Sequence, residues 1–496
     1  MKKKVNIVGS GIAGLSGAAM LASQGWDVSV LEKNDTLGGR MRAFQAQGFT
    51  FDMGPSWYWM EEVFENFFNK FGKTTSDFYE LKKLDPGFSM IFEDEEIKVP
   101  ASYQELKVLF EDIEAGAGEK LDQFMEEAEY KYKTGMESLV FQPGLSITEF
   151  FSWDIVKGVF KLQVFSSFHK HVRRFFSDPR LIALMEFPIL FLGAMPKSTP
   201  ALYSLMNYSG LKMGTYYPMG GMSKVTDAFV AIGKELGVNY YTNTDIDSAS
   251  VNNGVLESLK DSAGHIHKAD AVIAALDYNH FEQNVLPKEY RNYSPQYWEK
   301  RTFAPSSLLF YVGINKKLDK LNHHNLFFDA DLEQHAYEIY KSKVWPKDPL
   351  CYVCCPSRTD SSVAPEGKEN IFILMPIAPG LEDTQEIRQK YFERLIKKIE
   401  NYCGESITDH IEYKRSYCVT DFEDDYNSFK GNAYGLANTL EQTAVLKPKM
   451  WSKKVSNLLY AGQLTVPGPG VPPSIISGQV ACNELVKLFD HTLIPI

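Results

Sequence analysis

Val5-Asn6-Ile7-Val8 is a short apolar run between lysines and glycines, and it predicts a buried parallel strand. Ile12 to Gln24, rich in small and apolar residues, predicts a helix. Asp27-Val28-Ser29-Val30-Leu31 predicts a second strand, ending at Glu32. Similar grain returns twice. After Tyr216–Met222 the pattern predicts a helix over Ser223 to Leu236 and a strand and turn over Val238 to Ile246. Two hairpin strands follow about Asn252-Asn253-Gly254, then a buried strand over Ala269 to Ala275. Asn457 to Ala461 predicts a last strand, and a Pro/Gly-rich loop leads from it into a helix reaching about Leu488.

The turn between the first strand and helix is Gly9-Ser10-Gly11-Ile12-Ala13-Gly14, a GxGxxG. Gly9 permits the tight turn, Gly11 lets backbone approach a pyrophosphate, and Gly14 lets helix lie close to strand. The helix N-terminus, at Ile12 and Ala13, offers unpaired N–H groups to phosphate. Glu32 lies 32 − 14 = 18 positions beyond Gly14, at the strand end where a carboxylate binds ribose hydroxyls. Strand, helix, strand and acidic end in this order predict a Rossmann-like dinucleotide site. The opening MKKKVNIVGSGIAGLSGAAM also imitates a secretory signal. The glycine spacing and Glu32 decide for a retained, cytoplasmic segment.

The pattern continues through Glu32-Lys33, Gly38-Gly39-Arg40 and Phe51-Asp52-Met53-Gly54-Pro55-Ser56. Arg40 offers a planar fork to phosphate. With Tyr217-Pro218-Met219-Gly220-Gly221-Met222 and Pro467-Gly468-Pro469-Gly470-Val471-Pro472, these stretches resemble the bacterial-type phytoene desaturases and carotenoid desaturases of the FAD-dependent amine oxidase superfamily. The likeness covers nearly the whole chain. Gln463, Leu464, Val466, Pro469 and Trp57-Tyr58-Trp59 depart from the usual residues.

The resemblance implies an α/β fold with an α+β insertion. A discontinuous Rossmann-like FAD-binding domain would use residues 1–80, 210–290 and 440–496. Residues 81–209 and 291–439 would form a substrate-binding, membrane-associating domain. FAD contacts are expected from Gly9, Gly11, Ile12, Ala13, Gly14, Glu32, Lys33, Gly38, Gly39, Arg40, Gly54, Pro55, Ser56, Ile246, Gly462, Gln463, Gly470 and Val471. A substrate channel is expected at Trp57, Tyr58, Trp59 and Tyr217. Asp52 is the candidate proton acceptor, with loop capping as its structural alternative. The implied reaction desaturates a long apolar carotenoid by hydride transfer to flavin and proton loss. Phytoene is the first expectation, and a hydroxycarotenoid 3,4-desaturase or another late desaturase the alternative. A carotenoid isomerase, an amine oxidase and a non-catalytic lipid carrier are the other readings. The electron acceptor is left open between oxygen and a quinone.

Composition agrees with these expectations. Aromatic residues reach 13 %, from 33 Phe, 26 Tyr and 7 Trp, suiting either a large core or an apolar ligand site. The net charge of −11 argues against nucleic acid as a partner. The six cysteines show no disulfide framework, and Cys351-x-x-Cys354 has no second pair to complete a zinc site. His169/His171 and His323-His324 show no third ligand, so no metal is expected. No apolar run reaches about 18 residues. Ile147–Lys161 and Phe168–Phe176 mix basic and aromatic residues as an interfacial helix does, and predict peripheral association with the inner face of the cell membrane.

Overall fold

The structure is a computed structural model that describes residues 2–144, 163, 166–439 and 441–491. The opening grain forms as the pattern predicts: β1 (Lys4–Val8), α1 (Ile12–Ser23) and β2 (Asp27–Leu31). They belong to a five-stranded parallel sheet ordered Leu458–Tyr460, Ala271–Ala274, β1, β2, Asn239–Tyr241. Its register sets Ile7 between Ile273 and Val30, and all three are buried. Strands from residues 4–31, 239–274 and 458–460 thus share one sheet, and a parallel sheet needs such crossovers.

α1 packs against two later helices, Ser223–Glu235 and Val471–His491. The second contact is close. Ser16 Oγ donates to Ile475 O at 3.1 Å. A Cβ placed on Gly478 would sit 2.2 Å from Ala13 O, so only glycine fits that crossing. The hairpin Ile246–Asn252 with Val255–Asp261 turns through Asn253 (φ 51°) and Gly254 (φ 77°). Positive φ at both positions matches the twist of the flanking strands.

The second body is a seven-stranded sheet ordered Ile411–Tyr417, Ser306–Ile314, Glu369–Ile377, Cys351–Cys354, His324–Phe327, Phe88–Ile91, Glu96–Val99. Ser306–Ile314 is buried at every position because both faces are covered. Leu308, Phe310 and Val312 pack with Leu395, Ile396 and Ile399 of the helix Gln385–Cys403. Leu309 and Tyr311 turn towards the core shared with the nucleotide half.

The interfacial-helix expectation needs correction over Phe168–Phe176. Only Phe168–Val172 is helical, and Phe168, Val172, Phe175 and Phe176 are buried in the protein's own core. Ile147–Lys161 lies outside the described residues. Among the described residues, no helix is long and apolar enough to cross a membrane.

Candidate active site

One cavity of about 460 Å³ runs from the glycine turn of the parallel sheet to the wide sheet. Gly9, Gly11, Ile12, Ala13, Glu32, Lys33, Gly38, Gly39, Arg40, Gly54, Pro55, Ser56, Ile246, Gly462, Gln463, Gly470 and Val471 all line it. Five separate stretches of chain, 9–13, 32–40, 54–56, 246 and 462–471, therefore converge on one space. Gly14 stands behind the lining, where a Cβ would meet Gly9 O at 2.1 Å, so it serves helix–strand contact.

Three of these residues are held more tightly than the sequence suggests. Glu32 is buried and accepts four hydrogen bonds. Oε2 takes Ser10 N–H (2.9 Å) and Oγ–H (2.6 Å), and Oε1 takes Asn34 N–H (2.9 Å) and Nδ2–H (3.0 Å). A ribose hydroxyl would take over from the Ser10 hydroxyl or the Asn34 amide. The Lys33 ammonium donates to Asp424 O (2.5 Å) and Asn427 Oδ1 (2.9 Å). The Arg40 guanidinium donates to Ser428 Oγ (2.5 Å) and Asn432 O (3.3 Å) and lies 4.7 Å over the Tyr426 ring. Its Nε is buried without a partner.

These contacts expose a part of the site that sequence reasoning missed. The stretch Val419–Gly435 folds across the glycine turn, and Phe422, Asp425, Tyr426 and Asn427 line the cavity. Asp277 also lines it, accepting from His280 N–H (3.0 Å) and Phe429 N–H (3.3 Å). Burial pushes the Asp277 carboxyl up to about 6, while the nearby Arg40 opposes the rise. A βα-turn motif signals its own segment, but a capping stretch that mixes backbone carbonyls with the Asn427 and Ser428 side chains carries no such mark.

The far half of the cavity is apolar: Phe187, Leu190, Leu326, Leu332, Ile339 and Leu374 form much of its wall. Trp57 and Trp59 line it, but Tyr58 does not. Tyr58 is fully buried on the opposite side, stacked on Phe64 at 4.2 Å and hydrogen-bonded to Tyr79 at 2.9 Å. Side chains alternate along an extended segment, so the middle of the three points away. Tyr217 likewise leaves the main cavity. It lines a separate cavity of about 20 Å³ and packs on His323, ring centroids 4.6 Å apart.

Asp52 corrects the last expectation. It lines the small cavity, and its carboxylate accepts from Met222 N–H (2.8 Å) and Ser223 N–H (3.1 Å) at the start of the helix Ser223–Glu235. Burial pushes its carboxyl up to about 6 against those two bonds. Its oxygens hold a helix end, away from the apolar wall. On that wall, His335 is held neutral by burial. Its Nε2–H donates to Pro376 O (3.0 Å) and its Nδ1 accepts Leu350 N–H (3.1 Å). With both nitrogens bonded to backbone, it has no lone pair for base catalysis.

The chain matches the model of the flavin containing amine oxidoreductases over residues 12–486. It is 40 % identical over 487 residues to the carotenoid 3,4-desaturase of Haloarcula japonica, covering 97 % of this chain and 98 % of that one. The chain belongs to the carotenoid desaturase family of flavoproteins. A zeta-carotene-forming phytoene desaturase of Myxococcus xanthus is 29 % identical, covering 98 % of this chain and 94 % of that one. Putrescine oxidase with bound putrescine shares the fold at a TM-score of 0.63 and 13 % identity, covering 98 % and 99 % of the two chains.

The cofactor of this desaturase-family chain is FAD, and the cradle fits it. A Cβ on Gly11 would meet nothing within 4 Å, so the backbone there faces open cavity. Arg40 lines the same cavity and brings a positive charge to it. At the other end, Gly470 and Val471 begin the helix Val471–His491. Pro472 and Pro473 bring no N–H, so fewer amides face the cavity there than a helix start normally provides.

Behind that loop lies Lys447, 2 % exposed, with no partner for its amine. Burial pulls it down to about 7. An unfolded lysine titrates near 10.4. Between these values the unfolded chain binds the extra proton, so stability rises with pH from about 7 to about 10. Lys447→Met should therefore raise the melting temperature at pH 6, where the penalty is on the order of a few kcal/mol. The gain should fade towards pH 10. Calorimetry at both pH values checks this, and an equal gain at both would refute it.

Proposed function

We propose that this chain is an FAD-dependent desaturase of a long carotenoid, removing two hydrogens from adjacent carbons. The observation that carries the reading is one cavity that joins a phosphate cradle to an apolar wall on which His335 is locked neutral. FAD, when bound, accepts the hydride and so supplies the oxidation. The protein's part is binding and shielding. Leu326, Leu332, Ile339 and Leu374 hold an apolar chain and keep water out. Tyr340 and Tyr434 also line the cavity, and burial holds both phenols protonated. Their rings offer π faces to developing positive charge. An amine oxidase reading needs a polar subsite for an ammonium group, and this wall offers little of one.

The 40 % relative favours the late, 3,4-type desaturation over phytoene as the first step to test. So insoluble a substrate would be loaded from a membrane surface, in the cytoplasm, with oxygen or a quinone reoxidising the flavin. Expression in one host that accumulates phytoene, and in another that accumulates a hydroxylated acyclic carotenoid, tests the reading by product mass. A loss of two hydrogens per step in either host supports a desaturase, and the host tells which kind. An unchanged mass with an altered absorption spectrum would make it an isomerase. No change in either host would reject the proposal.

A further inference from the structure

His323, His324 and Cys354 bring their ligating atoms within 4.8 Å of one another, and all three residues are buried. The topology explains the meeting. His324 opens its strand directly opposite Cys354 on the neighbouring antiparallel strand, and His323 precedes it. Each imidazole is anchored on one side only. His323 Nδ1 is 2.7 Å from Thr359 Oγ1, and His324 Nδ1 is 2.6 Å from Tyr352 Oη. With both Nδ1–H groups donating to those hydroxyls, each Nε2 presents a lone pair. Both Nε2 atoms are buried and have no partner. The expectation that His323-His324 have no third ligand is thus corrected, since Cys354 stands beside them.

Two buried acceptors left unpaired beside a thiol are expensive in an apolar setting. A cation removes that cost. From the geometry we propose that His323 Nε2, His324 Nε2 and Cys354 Sγ bind one divalent zinc ion. Two imidazoles and a thiolate form a donor set that suits zinc, and three protein ligands leave a fourth position. Partners that fix the outer ring nitrogens, here the Thr359 and Tyr352 hydroxyls, orient such ligands. Zinc holds its ligands about 3.3–3.6 Å apart, so the three side chains would draw in on the ion. Cys354 also lines the cavity of about 20 Å³, which has room for a water-sized fourth ligand.

The charges balance the site. The thiol is protonated at rest, since burial pushes it up to about 12, and its S–H also meets the Tyr352 hydroxyl. On binding, the S–H bond breaks, an S–Zn bond forms, and one proton leaves for solvent. The net +1 that remains faces Asp52 on the Cys354 side and Asp360 on the His323 side. The neutral imidazoles have nothing to lose, because burial already holds both unprotonated. The ion would pin two neighbouring strands of the wide sheet together beneath Trp57, whose ring stacks on His324 at 4.0 Å and 9°. The role is structural, and the choice of carotenoid does not bear on it.

The test uses full-length protein with FAD bound. Metal-stripped protein is titrated with Zn²⁺ and, separately, with Co²⁺ as a spectroscopic probe. One equivalent of Zn²⁺ per chain with a micromolar or tighter Kd is expected, and Co²⁺ should show a thiolate charge-transfer band. Cys354→Ser should weaken Zn²⁺ at least 100-fold and abolish the band while the flavin spectrum stays. Thr359→Val, which only releases the outer nitrogen of His323, should weaken Zn²⁺ by about 10-fold or more. Cys482→Ala, remote from the cluster, should change nothing. Sub-stoichiometric Zn²⁺, a Co²⁺ complex without the thiolate band, or equal affinity in Cys354→Ser would overturn the proposal. If Cys354→Ser does not fold, the stoichiometry and band of the unmodified chain decide alone.

Discussion

Gly11→Val protein should fold and purify without flavin. The backbone at Gly11 is in an ordinary extended conformation (φ −62°, ψ 168°), and a Cβ there touches nothing within 4 Å. The substitution therefore brings no clash of its own. Its cost falls on the ligand, because the new side chain enters the cavity that the helix start and Arg40 also line. FAD affinity should drop at least 100-fold, equivalent to about 2.8 kcal/mol. The flavin absorbance of purified protein measures it, and circular dichroism shows that the fold remains. Gly14→Ala supplies the contrast. Its Cβ would lie 2.1 Å from Gly9 O, so the loss should appear as missing soluble protein, not as colourless protein. A yellow Gly11→Val protein with unchanged affinity would mean that the pyrophosphate lies elsewhere.

Ala336→Trp should leave flavin bound and stop the reaction. Ala336 sits on the short helix Leu332–Tyr337 and lines the apolar half of the cavity beside Leu332 and Ile339. It is far along the chain from every glycine-motif residue. An indole there occupies space needed by a long rigid ligand, and a packed wall cannot yield to it cheaply. Turnover should fall at least about 30-fold, with the flavin spectrum unchanged. Ala336→Ser, which adds little volume, should keep most of the activity. Product formation per bound flavin separates the two outcomes. Full turnover by Ala336→Trp would place the substrate outside this half of the cavity.

The nucleotide half was readable because its chemistry is local. Gly9, Gly11, Gly14 and Glu32 lie within one strand–helix–strand unit, and the same apolar grain located strands at 271–274 and 458–460. What escaped is what pairing alone creates. Nothing in the spacing of His323-His324 points to Cys354, because only the antiparallel register brings them together. Val419–Gly435 escaped for a related reason: Asp424 O and Asn432 O act through backbone, which every residue carries. Trp57-Tyr58-Trp59 was legible as a cluster. Its division into two lining rings and one core ring follows from strand alternation, which holds even in a three-residue stretch. Asp52 shows the limit of reading a carboxylate from its neighbours in sequence, since its partners, Met222 and Ser223, are 170 and 171 residues away.

The crossing of α1 with Val471–His491 has a bearing on biosynthesis. Gly478 and Ile475 meet Ala13 and Ser16, so α1 finds its permanent neighbour only after the whole stretch between them has been made. The strand Leu458–Tyr460, which completes the parallel sheet, also arrives late. Until then a nascent chain carries an apolar helix with an open flank, the kind of surface that chaperones hold. Flavin capture belongs after Val471–His491 has docked on α1, and supply of the cofactor would rescue a slow-folding variant only from that moment on.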